Sequence, residues 1–372
     1  MRILVVTRSY PAEGDLYQYP FVHRRVLAYR DAGHDVAVFR PAGGEARSHD
    51  YEGVTCTTGD GAALAQMTLG FDPDVVAAHG LSETMWPALS GLPDVPILAW
   101  LHGSEIPAFF RQKADAIADP EARAEAMAQV ERRALFWTDV LDRRQPDLKL
   151  VFPSRAAVAM MREDLGALLT NAAVIPNPID TTLFGYEPKS GEQRFHVLSI
   201  RPFDSTTYAN DLSVAAILAL RERAGFDEMR FTIIGDGPLF DETLEPLRGM
   251  TNVAIRRQFL TQAEIAAEHS RHGIFLVPTR LDTQGVSRDE AMSSGLVPVT
   301  NAIPAVLEFT DDACAALALP NDAGDLAGRL WELVQSEELF AARSAAAAAR
   351  VRRQTANDLV IPAELALLAE TA

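Results

Sequence analysis

Short apolar runs, each closed by Gly, Pro or a charged residue, alternate along this chain with stretches of helical character, and the alternation starts afresh halfway. Ile3 to Thr7 reads as a strand, Tyr19 to Arg30 as a helix closed by Gly33, and Asp35 to Phe39 as the next strand. Asp74 to His79, Pro96 to His102 and Lys149 to Phe152 continue the strands, with a long Ala/Glu/Arg helix at about Glu121 to Trp137 between them. Runs apolar throughout, rather than alternating, belong to parallel strands buried on both faces. Ala173-Val174-Ile175-Pro176-Asn177-Pro178-Ile179-Asp180 then joins a short strand to an Asn-Pro turn stiffened by two prolines, a boundary signal. After it come strands at Phe195 to Ile200, Phe231 to Ile234, Val253 to Ile255, Ile274 to Val277 and Leu296 to Thr300. Helices are expected near Tyr208 to Arg223, Pro238 to Arg248, Ala263 to His272, Leu326 to Val334, Leu339 to Arg353 and Pro362 to Leu368. A chain of 372 residues exceeds one ordinary hydrophobic core. Two Rossmann-like α/β domains are therefore expected, each gathering its ligands beyond the carboxyl ends of its strands.

Those ends carry the candidate chemistry. Leu281-Asp282-Thr283-Gln284-Gly285-Val286-Ser287-Arg288-Asp289-Glu290-Ala291-Met292 lies between two strands and reads as a loop entering a short helix. Amides at a helix start have no partner within the helix and carry a partial positive charge, and glycine lets a ligand come close to them. Gly285, Val286 and Ser287 thus form an anion site, most simply for phosphate. Asp282 and Glu290 flank it, and carboxylates accept from hydroxyls. Phosphate with hydroxyls on either side describes a nucleotide sugar.

An acid, seven residues, then Glu-Ala-Met and a small-residue-Gly ending resembles the acidic signature of the retaining family-4 glycosyltransferases of GT-B fold, two Rossmann-like domains facing each other across a cleft. The resemblance implies that Glu290 holds the ribose, that Asp282, where the family has Glu, contacts the transferred sugar, and that the amides of Gly285 to Ser287 hold phosphate or sugar oxygens. Arg201, directly after the first strand of the second half, resembles the diphosphate-binding arginine. The lysine usually found about five residues on is replaced by Thr206, so either Arg201 and the Gly285 helix suffice, or Arg280 or Arg288 supplies the second charge. Gly235 in Gly235-Asp236-Gly237-Pro238 lies in a loop near the nucleotide, and Arg256-Arg257-Gln258-Phe259-Leu260 resembles the segment whose main chain reads the base, which makes Arg257 a donor candidate. In the first half His102, in His102-Gly103-Ser104-Glu105, matches the histidine that contacts the sugar near its reacting carbon. Gly14, His79 and Glu105 are candidates for the acceptor side, Gly14 through the loop Tyr10 to Asp15, which resembles the family's glycine-containing loop.

Composition trims the alternatives. A net charge of −17 opposes nucleic-acid binding and gives no support to peripheral contact with an anionic membrane. No run approaches the roughly 18 apolar residues that span a bilayer. Cys56 and Cys314, far apart, suit a reducing cytoplasm, the inner face of the membrane included, and the start at Met1 lacks a signal-peptide core. Asp72-Pro73-Asp74 has metal-binding spacing but precedes a strand, so no metal site is expected. The domains are expected at residues 1–176, taking the acceptor, and 177–355, taking the nucleotide sugar, with 356–372 packing back on the first. The expectation is a metal-independent retaining transferase of hexosyltransferase type with no cofactor. Its donor is UDP- or GDP-linked, and its acceptor is a sugar or glycolipid of bacterial polysaccharide or glycoconjugate synthesis. A nucleotide-sugar epimerase or hydrolase, and a catalytically silent nucleotide-sugar-binding protein, remain open alternatives.

Overall fold

Ile3, Leu4, Val5 and Val6 are completely buried, so the strand they form is covered on both faces and belongs in the middle of a sheet. The computed structural model, which describes residues 1–14, 18–92, 95–115, 117, 119–142, 148–166 and 169–372, puts it there. The strands are β1 (Arg2–Thr7), β2 (Asp35–Pro41), β3 (Arg47–Tyr51), β4 (Val54–Gly59), β5 (Val75–His79), β6 (Ile97–Trp100), β7 (Leu148–Phe152) and β8 (Ala172–Val174). Their order is β3-β4-β2-β1-β5-β6-β7-β8, parallel except for β3 against β4. That β3-β4 hairpin turns on Glu52 and Gly53, both at positive φ (44° and 75°), as a tight two-residue turn demands. The polar sequence of β3, exposed at the sheet edge, gives no apolar signal, and the strand does not show in the sequence pattern.

The chain divides into two units, Met1–Asn177 with Val360–Ala372, and Pro178–Leu359. The closing helix runs Asn357–Thr371 and starts five residues before Pro362, the expected first residue. Val360, Ile361 and Leu368 join Ile3, Val5, Val26 and Tyr29 in the core of the first unit. Glu364, wholly buried, takes Arg25 Nε at 2.9 Å and Tyr29 Oη–H at 2.6 Å, while Arg25 Nη2 donates to Asn177 Oδ1 at 2.9 Å. An unpaired buried charge would be costly, so these groups lock the helix in place only as a set.

In the second unit β9 (His196–Ile200), β10 (Arg230–Gly235), β11 (Val253–Arg257), β12 (Ile274–Leu276), β13 (Val297–Asn301) and β14 (Ala316–Ala318) form a wholly parallel sheet in the order β11-β10-β9-β12-β13-β14. This is the doubly wound order, and the strand sequence reverses between β9 and β12. The helix expected from Tyr208 instead begins at Asn210, because Ala209 sits in the left-handed region at φ 52° and ends a 3₁₀ turn over Thr206–Tyr208. The helix expected from Pro238 shortens to Phe240–Leu244, and Pro246 falls in the 3₁₀ turn Glu245–Leu247 that follows.

Candidate active site

The chain leaves β9 at Ile200 and β12 at Leu276, on either side of the reversal, and the two loops meet. From β9 comes Arg201, only 6% exposed. Its backbone is set by its own N–H on Ile234 O at 3.0 Å and by the approach of the β10 loop. A Cβ on Gly235 would lie 2.0 Å from Arg201 O, and one on Gly237 2.5 Å from the Phe203 carbonyl carbon. Gly235 therefore lets two backbones close on each other and so fixes where Arg201 starts. The guanidinium lies over the Tyr208 ring, with Cζ 4.9 Å from its centroid, and Nη1 reaches Ser287 Oγ at 3.3 Å. Arg201 Nε is buried without a hydrogen-bond partner. Burial works against the Arg201 charge, and the nearby Asp282 carboxylate supports it.

From β12 comes the helix Val286–Ser293, whose N-cap is Gly285 at φ 99°. The bond from Asp289 N–H to Gly285 O (3.0 Å) comes after the amides of Gly285, Val286 and Ser287, which precede the helical ladder. Asp282 Oδ1 accepts from the amides of Thr283 (2.8 Å) and Gln284 (3.1 Å), closing the loop that leads to them. Beneath lies a buried group with no forewarning in the sequence. Arg288 Nε and Nη2 hold Asp289 Oδ1 at 2.9 and 2.7 Å, and Gln284 Nε2 holds Asp289 Oδ2 at 3.0 Å. Burial raises the Asp289 carboxyl, and Arg288 opposes that. A Cβ at Gly285 would stand 2.9 Å from Arg288 Nη1, so the guanidinium closes the floor directly under the N-cap. Glu290 is half-buried on the same helix.

The candidates for a second charge come out differently. Arg280 is forked onto Asp211 (2.7 and 2.6 Å) and Thr206 O (2.7 Å), which ties it to the outer wall of the β9 loop. Arg288 is neutralised by Asp289. Arg257 ends β11 with its exposed guanidinium on Asp236 and Asp241, both at 2.7 Å. Arg201 Nε and Arg288 Nη1 are both buried without a hydrogen-bond partner, but Arg288 is bonded to a carboxylate through its other nitrogens, and Arg201 bonds a hydroxyl.

In the first unit the reversal falls between β1 and β5, where Thr7 is in register with His79 and His79 with Trp100. His79, expected toward the acceptor side, is completely buried: its ring stacks on Trp100 at 5.0 Å and its Nδ1 is 3.1 Å from His102 Nε2. His102 is half-buried, with Phe21 at 4.6 Å and Tyr19 at 6.0 Å. Burial and the Arg25 charge hold both imidazoles well below the ordinary histidine range, with the neighbouring ring adding to the effect on His79. Glu105, also expected toward the acceptor, turns inward instead. Its Oε2 takes the amides of His102 (2.8 Å) and Gly103 (2.9 Å), its Oε1 takes Ser104 Oγ–H (3.1 Å), and its carbonyl accepts from Trp137 Nε1 at 2.7 Å. It shapes the His102 loop. Arg133 completes that support through Ser104 O. Tyr19 stands at φ 57°, an uncommon conformation for a large residue, over Gly80, where a Cβ would meet its ring at 3.1 Å. Burial raises the Tyr19 hydroxyl to about 12. Gly14 (φ 86°) has open space around it, and Asp15, the end of its expected loop, lies outside the described residues.

Among the described residues no group of three or more His, Cys, Asp or Glu is placed to hold a metal ion, and no helix is long and apolar enough to cross a membrane.

Comparison with known proteins agrees with this layout. Residues 196–336 match the family described as glycosyl transferases group 1, and residues 21–183 match glycosyltransferase family 4. No curated protein sequence matches the chain. Among solved structures, a sucrose-phosphate synthase from Thermosynechococcus elongatus is similar at TM-score 0.75 and 14% identity over 99% of this chain and 98% of that one. Anabaena HepE, solved with UDP and glucose, is similar at TM-score 0.73 and 14% identity over the whole of both chains. A glycosyltransferase from Rickettsia africae gives TM-score 0.71 and 13% identity over 100% and 98%. Two family matches that between them span most of the sequence, on a pair of doubly wound parallel sheets, place this chain among the GT-B glycosyltransferases.

Proposed function

We propose that the protein transfers a sugar, with retention of anomeric configuration, from a nucleoside diphosphate sugar held on the second unit to an acceptor hydroxyl taken by the first. The observation that carries this reading is Arg201, buried beside the start of the Gly285-capped helix with Nε unpartnered. A buried cation with an unsatisfied donor, supported only at a distance by the Asp282 carboxylate, gains from an anion that completes its hydrogen bonds. A diphosphate bridging Arg201 and the amides of Gly285 to Ser287 does so. Glu290, farther along the helix, accepts from ribose hydroxyls, and Asp282 from the transferred sugar.

In the reaction the anomeric carbon–oxygen bond to the diphosphate breaks as the acceptor oxygen bonds to the same carbon from the same face. The diphosphate takes up the bonding electrons and then the acceptor's proton. Arg201 and the oriented amides stabilise the charge on the departing group, and fixed donors of this kind supply about 2–4 kcal/mol each. His102, neutral near pH 7, offers the sugar a hydrogen bond and not a charge. No step requires a metal ion, and no cofactor is needed. The UDP and glucose bound by the Anabaena protein make UDP-linked hexoses the first donors to test, with GDP-linked sugars next and a sugar or glycolipid as acceptor.

Thermal unfolding in the presence of UDP, GDP and other nucleoside diphosphates tests the binding half, since a ligand at 100 times its Kd adds about 2.7 kcal/mol to the folded state. One of them should raise the Tm. Incubation of the matching nucleotide sugar with acceptor libraries, with the anomeric configuration of the product read by NMR, tests the rest. No stabilisation by any nucleoside diphosphate would overturn the assignment. Free sugar or a free epimer formed without acceptor would replace transfer by hydrolysis or epimerisation.

A further inference from the structure

We propose that His79 is a positioning residue for His102: its Nδ1–H donates to His102 Nε2, setting the plane of that ring and fixing it as the Nδ1–H tautomer. The role of His102 in sugar transfer rests on the function proposed above; the hydrogen bond does not.

The two ring planes are nearly parallel, 10° apart, and the 5.4 Å between centroids is reached with a 3.1 Å nitrogen-to-nitrogen contact only if that contact lies along the line of centres, which makes the rings nearly coplanar. The N–H and lone pair of an imidazole lie in the ring plane, so coplanar rings at this distance share one proton along one line. Trp100, in register with His79 on β6, covers the His79 ring at 5.0 Å and 23°, and keeps it from swinging out of that plane. The Phe21 ring packs against His102 at 4.6 Å. Neither ring is charged near pH 7, because burial and the Arg25 guanidinium oppose protonation of both. Each imidazole therefore carries one proton on one nitrogen.

Two arrangements satisfy that count. If His102 Nε2–H were the donor, His79 would carry its own proton on Nε2, which is buried with no acceptor. Buried N–H groups without an acceptor are rarer than under-satisfied lone pairs. The other arrangement leaves a bare lone pair at that buried nitrogen and makes His79 Nδ1–H the donor. His102 then keeps its proton on Nδ1 and is a hydrogen-bond donor there. The same logic orients metal-bound and catalytic histidines, whose tautomer is set by the bond their second nitrogen makes.

The test compares wild type with His79→Phe, which keeps a ring against Trp100 but has no nitrogen, and His79→Asn, whose amide can donate from nearly the place of Nδ1. Long-range ¹H–¹⁵N correlation on ¹⁵N-histidine-labelled, ligand-free protein at pH 7.5 reads the tautomer directly. The expected result is a protonated Nδ1 and bare Nε2 for His102 in wild type and in His79→Asn, and a shift toward the Nε2–H form in His79→Phe. A His102 protonated on Nε2 in wild type, or a pattern unchanged in His79→Phe, overturns the proposal. With donor and acceptor present, His79→Phe should lower kcat by about 10- to 100-fold, the range expected when a reacting group is misplaced. Its donor KM should stay at the wild-type value, and His79→Asn should recover most of kcat. Equal kcat in wild type and a folded His79→Phe overturns the positioning role. A chain that shows the expected tautomer yet transfers no sugar removes the transferase reading and leaves the histidine pair standing.

Discussion

Replacing Arg201 by methionine should make the ligand-free protein more stable and its ligand bind more weakly, and this pairing of opposite signs distinguishes a binding cation from a structural one. The side chain is 6% exposed and its Nε has no partner, so folding removes it from water without full repayment. An unsatisfied buried donor costs about 1–3 kcal/mol. Against this stands the contact with Tyr208, 4.9 Å from Cζ to the ring centroid, a geometry that contributes about 0.5–2 kcal/mol. Methionine fills most of the volume and needs no partner. The net change is a gain of about 1 kcal/mol, which for a unit of this size raises the Tm by about 2–4 °C. Binding moves the other way. Hydrogen bonds from a charged donor are worth about 1.5–3 kcal/mol, so loss of one should weaken a nucleoside diphosphate by about 10- to 150-fold. Differential scanning fluorimetry without ligand and calorimetric titration with UDP or GDP read the two quantities. A variant that melts lower and binds the nucleotide as tightly as wild type would show that Arg201 serves the fold, and the diphosphate site would have to be sought elsewhere.

Three further outcomes bear on other parts of the molecule. Glu290→Gln should weaken nucleoside diphosphate binding by about tenfold, measured calorimetrically, with little change in Tm, since one hydroxyl-accepting carboxylate contributes about 1–2 kcal/mol. Glu364→Leu leaves Arg25 buried and uncompensated and should destabilise the first unit by about 3–5 kcal/mol in urea unfolding, whereas adding Arg25→Met should restore most of that, because breaking a buried pair costs more than removing it whole. Stability should also fall in acid through His269, which burial between Phe184 and Phe275 lowers from the ordinary 6.5 to about 3. Its stabilisation is complete above pH about 6.5 and declines by about 1.4 kcal/mol per pH unit as the pH drops toward 3, because the unfolded chain takes up the proton first. His269→Phe should remove that share of the slope in urea unfolding between pH 7.5 and pH 5, and an unchanged slope would show that the ring is protonated in the fold.

The parts of this protein that a sequence displays are those written in consecutive residues. β1 announces itself because Ile3 to Val6 are apolar on both faces, and the helix at Val286 because Gly285 stands at its start. β3 stays hidden: Arg47–Tyr51 is an exposed edge strand held by its pairing to β4, and an edge strand has no second buried face to advertise. Arg201 and the Gly285 loop were separately legible, but their meeting is a property of the strand order. Two loops 86 residues apart in sequence come within 3.3 Å of each other at Nη1 and Oγ because β9 and β12 are neighbours in the sheet.

Charge is the least legible part of the site in the sequence, for a physical reason. In sequence Arg280 and Arg288 are equal candidates for the lysine's place, because each is a cation close to Gly285. What separates them from Arg201 is the partner that each side chain finds. Asp211, 69 residues away, takes Arg280, and Asp289, the adjacent residue, takes Arg288 by folding back on it, with Gln284 closing the other oxygen. A cation already matched in a bidentate or buried pair has surrendered most of the field it could offer a ligand. Under the proposed function, a diphosphate would meet Arg201, the guanidinium here that is not hydrogen-bonded to a carboxylate, and a set of oriented amides. The buried Arg288–Asp289 pair, neutral as a whole, contributes through geometry, by holding the floor on which Gly285 turns into its helix.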